Sequence, residues 1–255
     1  MTESYIELHA NSAFSFLEGG SQPEALAERA FALGMPAIAM MDRNGFYGSA
    51  RFHKIASENG IKAHVGAEVS VTGLGNRITP PVWLPHQHLA EPTRLPLLCE
   101  TREGYQNLCQ LITRFKMRET TKQEGSAKLG DLEEYRRGLV CLTGGEEGPL
   151  AAALMMGGEA AGRASVERLV RVFGQNNVYV EVQRHRERTQ EWRNQAALRI
   201  ARSLHLSAHS TRSMVWNTVA MLCGRWNVRV NQKGHCSCSR ANGYVRKQVN
   251  LHWRQ

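Results

Sequence analysis

The sequence predicts an α/β fold with a mainly parallel sheet, and three observations carry that prediction. Residues 37–71 read as a complete strand, loop, helix, strand unit. A strand and a well-bounded helix precede it. Beyond it, short apolar runs of strand length keep alternating with helical segments as far as residue 206. Strands that alternate with helices are the pattern of a parallel sheet or barrel.

In chain order, Tyr5 to His9 alternates, with Tyr5, Glu7 and His9 on one side and Ile6 and Leu8 on the other, a strand ending in a histidine. Ser21 reads as the N-cap of the next helix; Pro23 suits its first turn, and Glu24 completes a capping box ahead of Ala25 to Leu33. Gly34 and Pro36 stop that helix. Ala37 to Met41 is wholly apolar and ends at Asp42-Arg43-Asn44-Gly45, as a buried parallel strand does. From Phe46 the apolar spacing becomes helical until Asn59-Gly60, and a strand follows from Ala63 to Val71. Chemistry in such units sits where strands end, which places Asp42 and Glu68 to face a common site; the alternative for Asp42 is to cap the following helix.

Thr72 to Pro96 is rich in proline and reads as irregular around a strand at Val82 to Leu84. Gly73 and Gly75 lack the third glycine and the helix of a dinucleotide loop. Leu95 to Cys99 is a strand, and Glu103 to Met117 a helix that buries Tyr105, Leu108, Leu111, Ile112 and Phe115. Lys116 to Lys128 reads as a mobile surface loop. Leu139 to Leu142 is strand-like, then helices run over Pro149 to Met156 and Glu159 to Phe173. Val178 to Val182 is the next strand, with His185 just beyond it, and Glu187 to Leu204 is a helix with Trp192, Ala196, Ile200 and Leu204 on its buried side.

The chain has 255 residues, 42% of them hydrophobic and 22% charged, the balance of a soluble globular protein. No stretch of 18 apolar residues occurs, so a cytoplasmic protein without membrane contact is expected. Cys99, Cys109 and Cys141 lie in apolar-periodic segments, where thiols pack as small hydrophobes. The net charge is +9, but eight of the 32 Lys and Arg residues and none of the 23 acidic residues fall after residue 206. Three of the five tryptophans and three of the six cysteines lie there too. Residues 207–255 therefore read as a basic, acid-free tail with the composition of an out-of-frame reading. A basic arm whose aromatics stack on nucleic-acid bases is the functional alternative.

Several motifs in order carry a family resemblance. They are Glu7-Leu8-His9 with Ser12 to Leu17, Ala39 to Asn44 with Gly48 and Arg51-Phe52, Gly66-Ala67-Glu68, Leu97-Leu98 with Gly104 to Leu108, and Tyr179 to His185. Residues 4–206 resemble the N-terminal PHP (polymerase and histidinol phosphatase) domain of bacterial C-family DNA polymerases, closest to the error-prone branch. The resemblance implies an irregular (β/α)7 barrel, here incomplete at its C-terminal end, since the family's last strand with its Asp-x-His ligands is expected after Leu206 and is missing. Active members use a cluster of divalent metals to hydrolyse phosphoesters. His9 matches the first histidine of the family's HxH motif, and Asn11 stands at the second. Asp42 matches the aspartate of an Asp-His pair, and Arg43 stands at the histidine. Glu68 matches a metal-binding glutamate, and Gly145 stands where metal-binding members carry cysteine.

The implied metal site is thus the degenerate set His9, Asp42 and Glu68, with Arg43 and His185 as further contacts. It would hold divalent metal (Mn, Zn or Mg) weakly or not at all, and no catalytic residue is assigned. The expected function is that of a PHP-domain fragment of an error-prone DNA polymerase, lacking the palm whose aspartates bind Mg in the intact enzyme. DNA and other replication or repair proteins would be its partners through that intact polymerase. The alternatives are a stand-alone metal-dependent phosphoesterase or 3′–5′ exonuclease, and a basic-tailed nucleic-acid-binding protein. A barrel without its last strand exposes sheet edges, so the isolated chain is expected to be aggregation-prone.

Overall fold

A computed structural model describes residues 5–16, 18–74, 92–118, 125–183, 188–211, 228–230, 235–238 and 249–250. The expected α/β alternation is present. The elements are β1 (Glu7–Ala10), α1 (Pro23–Ala32), β2 (Ala37–Arg43), α2 (Ser49–Glu58), β3 (Lys62–Thr72), β4 (Thr93–Cys99), α3 (Arg102–Arg118), β5 (Ala127–Lys128), α4 (Leu129–Tyr135), β6 (Leu139–Leu142), α5 (Pro149–Phe173), β7 (Val178–Gln183), α6 (Arg188–Ser203) and β8 (Ser207–Thr211). Val82 to Leu84 lies outside the described residues. No helix among those described is long and apolar enough to cross a membrane.

Two compact units divide the chain, Met1–Ala67 with His209–Gln255, and Glu68–Ala208. In the first, β1 runs parallel to β2, with Glu7 opposite Ile38 and Ala10 opposite Met40. Six of the seven residues of β2 are buried, which its unbroken apolar run foretold. Leu26, Ala27 and Ala30 of α1 and Phe52 and Ala56 of α2 pack with Ile38 and Met40 into one core. Fully burying Phe52 or Met40 stabilises the unit by about 2 kcal/mol each. The predicted Ser21 cap does not form: Gln22 is the N-cap without a side-chain hydrogen bond. Glu24 is instead held by Arg51, its Oε2 accepting from Nη2 at 3.0 Å. An arginine from the neighbouring helix α2 supplies two donors where a single cap supplies one, and that contact is invisible in local sequence.

In the second unit the hydrogen-bonded order is β3-β4-β6-β7, and β5 pairs with β3. β6 and β7 are parallel, but β4 and β6 are antiparallel, with Leu97 opposite Cys141, so the sheet is mixed there. β5 occupies the end of the stretch expected to be loop, and α4 follows it directly. Asp131 explains the helix: its carboxylate accepts the Lys128 N–H at 2.8 Å and both Arg118 Nη2 contacts at 2.7 and 2.8 Å. α5 is broken at Gly157 and Gly158, as the two predicted segments require. Ala196 and Ile200 are buried as predicted, whereas Trp192 is 49% exposed and Gln190 takes the buried place in the first turn at 3%. Tyr105, the first member of the α3 stripe, is likewise 42% exposed.

A strand does follow Leu206. Ser207–Thr211 forms β8, where local periodicity gave no strand signal; its sequence, SAHST, carries no aspartate. Short strands at Val228–Val230, His235–Cys238 and Val249–Asn250 pair antiparallel within the tail.

Two predictions follow from packing. α3 docks through Gly104 onto the turn at Gly138: a Cβ on Gly104 would meet the Gly138 carbonyl oxygen far inside contact distance, while that oxygen accepts the Glu100 N–H at 2.9 Å. Gly138 itself has φ +70, and Asn107 Nδ2 donates to the Arg137 carbonyl at 2.9 Å. Gly104→Ala is therefore expected to cost more than about 2 kcal/mol in urea unfolding, because backbone rather than a flexible side chain must yield. The second concerns His64 on β3, whose imidazole is pushed down from 6.5 to about 4 by burial, with repulsion from Lys62 adding to it. The unfolded chain protonates this group from about pH 6.5 downward and the folded chain only near 4, so stability falls as pH drops through that window, by at most about 3 kcal/mol. Urea midpoints between pH 7.5 and 4.5 should show the slope, and His64→Gln should flatten it.

Candidate functional site

The C-terminal ends of β1 and β2 lead into two loops, residues 11–20 and 44–48, and Asp42 ties them together. Its carboxylate is 1% exposed. Oδ1 accepts the Ser12 N–H at 3.0 Å, the Ser12 hydroxyl at 2.7 Å and the Ser15 hydroxyl at 3.0 Å. Oδ2 accepts the N–H of Gly48 at 3.1 Å, and Gly48 is the N-cap residue of α2. Asp42 thus fixes the start of the helix, as the capping alternative held, but does so from the preceding strand. Only glycine fits at position 48, since a Cβ there would lie 2.6 Å from Pro23 Cγ and 3.1 Å from Asp42 Oδ2.

Arg43 faces away from this carboxylate. Its N–H donates to Ser15 Oγ at 3.1 Å, and its guanidinium pairs with Glu18 at 3.2 Å. His9 is half-buried on β1, and its N–H donates to Glu7 Oε1 at 3.0 Å. Glu7 is fully buried and also accepts the Tyr5 hydroxyl. Asn11 Oδ1 is buried with no hydrogen-bond partner among the described residues.

In the second unit, Glu68 on β3 is 7% exposed and lies 3.9 Å from the Arg94 guanidinium. Arg94 also pairs with Glu147 at 2.5 Å and donates its N–H to the Glu147 carbonyl at 2.8 Å. At Gly145 any Cβ would collide with the side-chain amide of Gln183. That amide is held by Glu181, whose Oε1 accepts from Gln183 Nε2 at 2.8 Å, while the backbone carbonyl of Gln183 accepts from Asn194 Nδ2 at 2.6 Å. Thr143 Oγ1 accepts the Glu181 N–H at 2.9 Å, which fixes the carboxylate-bearing residue in β7.

His185 lies outside the described residues. Among the described residues no group of three or more His, Cys, Asp or Glu stands together so as to hold a metal ion. The chemistry of the surviving donors agrees with that: Asp42 already takes four protein hydrogen bonds, Glu68 has a guanidinium beside it, and the Gly145 position is closed by an amide. Ser12, Ser15, Gly48 and Gln183 stand within the motifs that carry the family resemblance, but the sequence did not reveal what they hold, and Thr143 carries no local signal.

The PHP domain family matches residues 7–185. An error-prone DNA polymerase of Mycobacterium bovis is 33% identical over 199 residues, covering 78% of this chain and 18% of that protein. One from Anaeromyxobacter sp. (strain K) is 46% identical over 110 residues, 43% of this chain and 9% of that protein. The DNA polymerase III subunit alpha of Caulobacter vibrioides is 29% identical over 183 residues, 72% of this chain and 15% of the relative. The chain thus spans less than a fifth of the length of these relatives. Among solved structures, a protein from Bifidobacterium adolescentis assigned as a metal-dependent phosphoesterase aligns with TM-score 0.54 and 11% identity, covering 82% of this chain and 86% of that one. An amidohydrolase from Chromobacterium violaceum, with bound sulfate and no metal, aligns with TM-score 0.52 and 16% identity over the same shares. At such identities these two likenesses speak for the fold. With the family match running from β1 to the residues just past β7, and its fold found in the structure, this chain belongs to the PHP domain family.

Proposed function

We propose that the chain is the PHP-domain part of an error-prone DNA polymerase, and that it supports a polymerase structurally instead of hydrolysing phosphoesters itself. The observation that carries this reading is the similarity to error-prone polymerases through 199 residues, combined with strand-end donors already engaged by protein groups. In the intact polymerase, DNA and other replication or repair proteins would be the partners, and Mg would serve nucleotide transfer in a separate domain. His9, Asp42 and Glu68 would hold Mn, Zn or Mg weakly or not at all, with Arg43 and His185 as neighbouring contacts. The enzyme reading, a metal-dependent phosphoesterase or 3′–5′ exonuclease, draws its support from the phosphoesterase assignment of one structural neighbour.

Metal analysis and hydrolysis separate these readings. The purified chain is expected to carry well below one equivalent of Mn, Zn or Mg and to show no manganese-dependent cleavage of a chromogenic phosphodiester. Near-stoichiometric metal together with activity that Glu68→Gln abolishes would establish the enzyme instead.

Asp42→Asn provides a second test. The substitution keeps one acceptor oxygen but turns an NH2 toward the donors that met the other, and losing charge-assisted buried hydrogen bonds costs about 2–4 kcal/mol. If Asp42 only organises loops, that loss should appear equally with and without a chelator, and chelator alone should leave the wild type unchanged. A wild type that the chelator destabilises to the level of the variant would instead make Asp42 a metal ligand.

The tail offers a test in the coding DNA. Reading the two other frames downstream of Leu206 should recover polymerase-like sequence, beginning with a strand that carries an aspartate. Absence of any such frame would make residues 207–255 a genuine feature of the protein.

A further inference from the structure

Asp42 also pins an aromatic surface that the proposed role does not use. Phe14 is 43% exposed, Phe16 81% and Tyr47 54%, on the two loops that follow parallel strands β1 and β2. Phe14 N–H donates to Ser12 Oγ at 3.2 Å, Phe16 follows Ser15 directly, and Tyr47 precedes Gly48; Ser12, Ser15 and Gly48 all hydrogen-bond to the one carboxylate. The Arg51 guanidinium lies 5.7 Å from the centroid of the Phe14 ring. The backbone beside each ring is fixed by this buried network, so a ligand that stacks there has less chain to order.

We propose that Phe14, Phe16 and Tyr47 form a stacking platform for unpaired bases of single-stranded nucleic acid. Aromatic faces beside an arginine suit bases, since every base offers a π-face. The choice of nucleic acid over a protein surface rests on the reading of this chain as part of a DNA polymerase. The charge arrangement defines the mode of binding. Arg43 is paired with Glu18 and Arg51 with Glu24, so neither guanidinium is an open phosphate site. Stacking, and not phosphate neutralisation, therefore supplies the affinity of this platform. The base-dependent part of binding changes little with salt, whereas binding through the basic tail depends steeply on it.

The experiment is fluorescence anisotropy of the full chain with a labelled oligothymidylate and with an abasic strand of equal length, at two salt concentrations. Contacts of the tail with phosphates appear in both strands; stacking appears only in their difference. The oligothymidylate is expected to bind at least about fivefold tighter, by a ratio that salt leaves nearly constant. Phe14→Ala with Phe16→Ala should reduce that ratio to near one, and Phe16→Trp should retain it. An unchanged melting curve controls for folding, which the exposure of these rings favours. Equal affinity for the two strands would overturn the proposal, as would a preference that survives removal of the rings. If removing the rings alters only self-association, the surface docks protein and the proposal is likewise wrong. None of these outcomes bears on the reading-frame test, so the platform and the polymerase assignment can fail separately.

Discussion

The first unit depends on one buried carboxylate taking up donors from two loops and a helix start. Four protein donors converge on Asp42, and hydrogen bonds to a charged acceptor each contribute about 1.5–3 kcal/mol net. Without the carboxylate, the backbone N–H groups of Ser12 and Gly48 would have to find other partners in a dry environment, which is why the arrangement behaves as a unit. Strand β2 delivers Asp42 to this place because its unbroken apolar run commits the strand to the interior, and the run ends at the aspartate. The same contact decides the direction in which the 11–20 loop leaves β1, the residue at which α2 can begin, and the presence of glycine at position 48.

This network holds the backbone at these strand ends whatever side chains project beyond them. Metal ligands project into a site, but the backbone that carries them is held from beneath. Here the supporting bonds come from Ser12, Ser15 and Gly48, and the core comes from Leu26, Ile38, Met40 and Phe52. Asparagine at position 11 and arginine at position 43 disturb neither set: Arg43 turns to Glu18, and the Asn11 backbone continues the strand end. In the second unit the corresponding accommodation is a filled space, with Gln183 lying against Gly145 and fastened by Glu181 and Asn194.

How much of this was legible in sequence follows from the range of the forces involved. β2, β3, β4, β6 and β7 and every long helix were readable, because burial imposes periodicity on contiguous residues. The break in α5 was readable because two adjacent glycines interrupt it. The Ser21 cap was misjudged because Glu24 meets Arg51 from a different helix, and β5 and α4 were missed because they depend on Asp131 reaching Lys128 and Arg118. Trp192 was assigned to the buried side by spacing alone, whereas in the first turn of α6 the buried place belongs to Gln190, whose Nε2 donates to Glu146 Oε1 at 3.0 Å. At the site, Asp42 and Glu68 were recognisable by type and place. Their partners were not, since Ser12 lies 30 positions from Asp42 and Arg94 comes from another strand.

Charge in the described region is neutralised locally. Arg51 meets Glu24, Arg114 meets Glu134, Arg163 meets Glu167 and Arg199 meets Glu159, all on the surface. Such exposed pairs contribute little to stability, but each removes an unopposed positive charge from the surface. The unbalanced positive charge of the chain is concentrated after residue 206, where eight basic residues have no acidic counterpart. Long-range attraction to a polyanion would therefore come from the tail, with the salt sensitivity that such attraction carries. Whatever the PHP domain recognises it must recognise at short range, through shape, hydrogen bonds and exposed rings, and the loops fixed by Asp42 are where those rings stand ready.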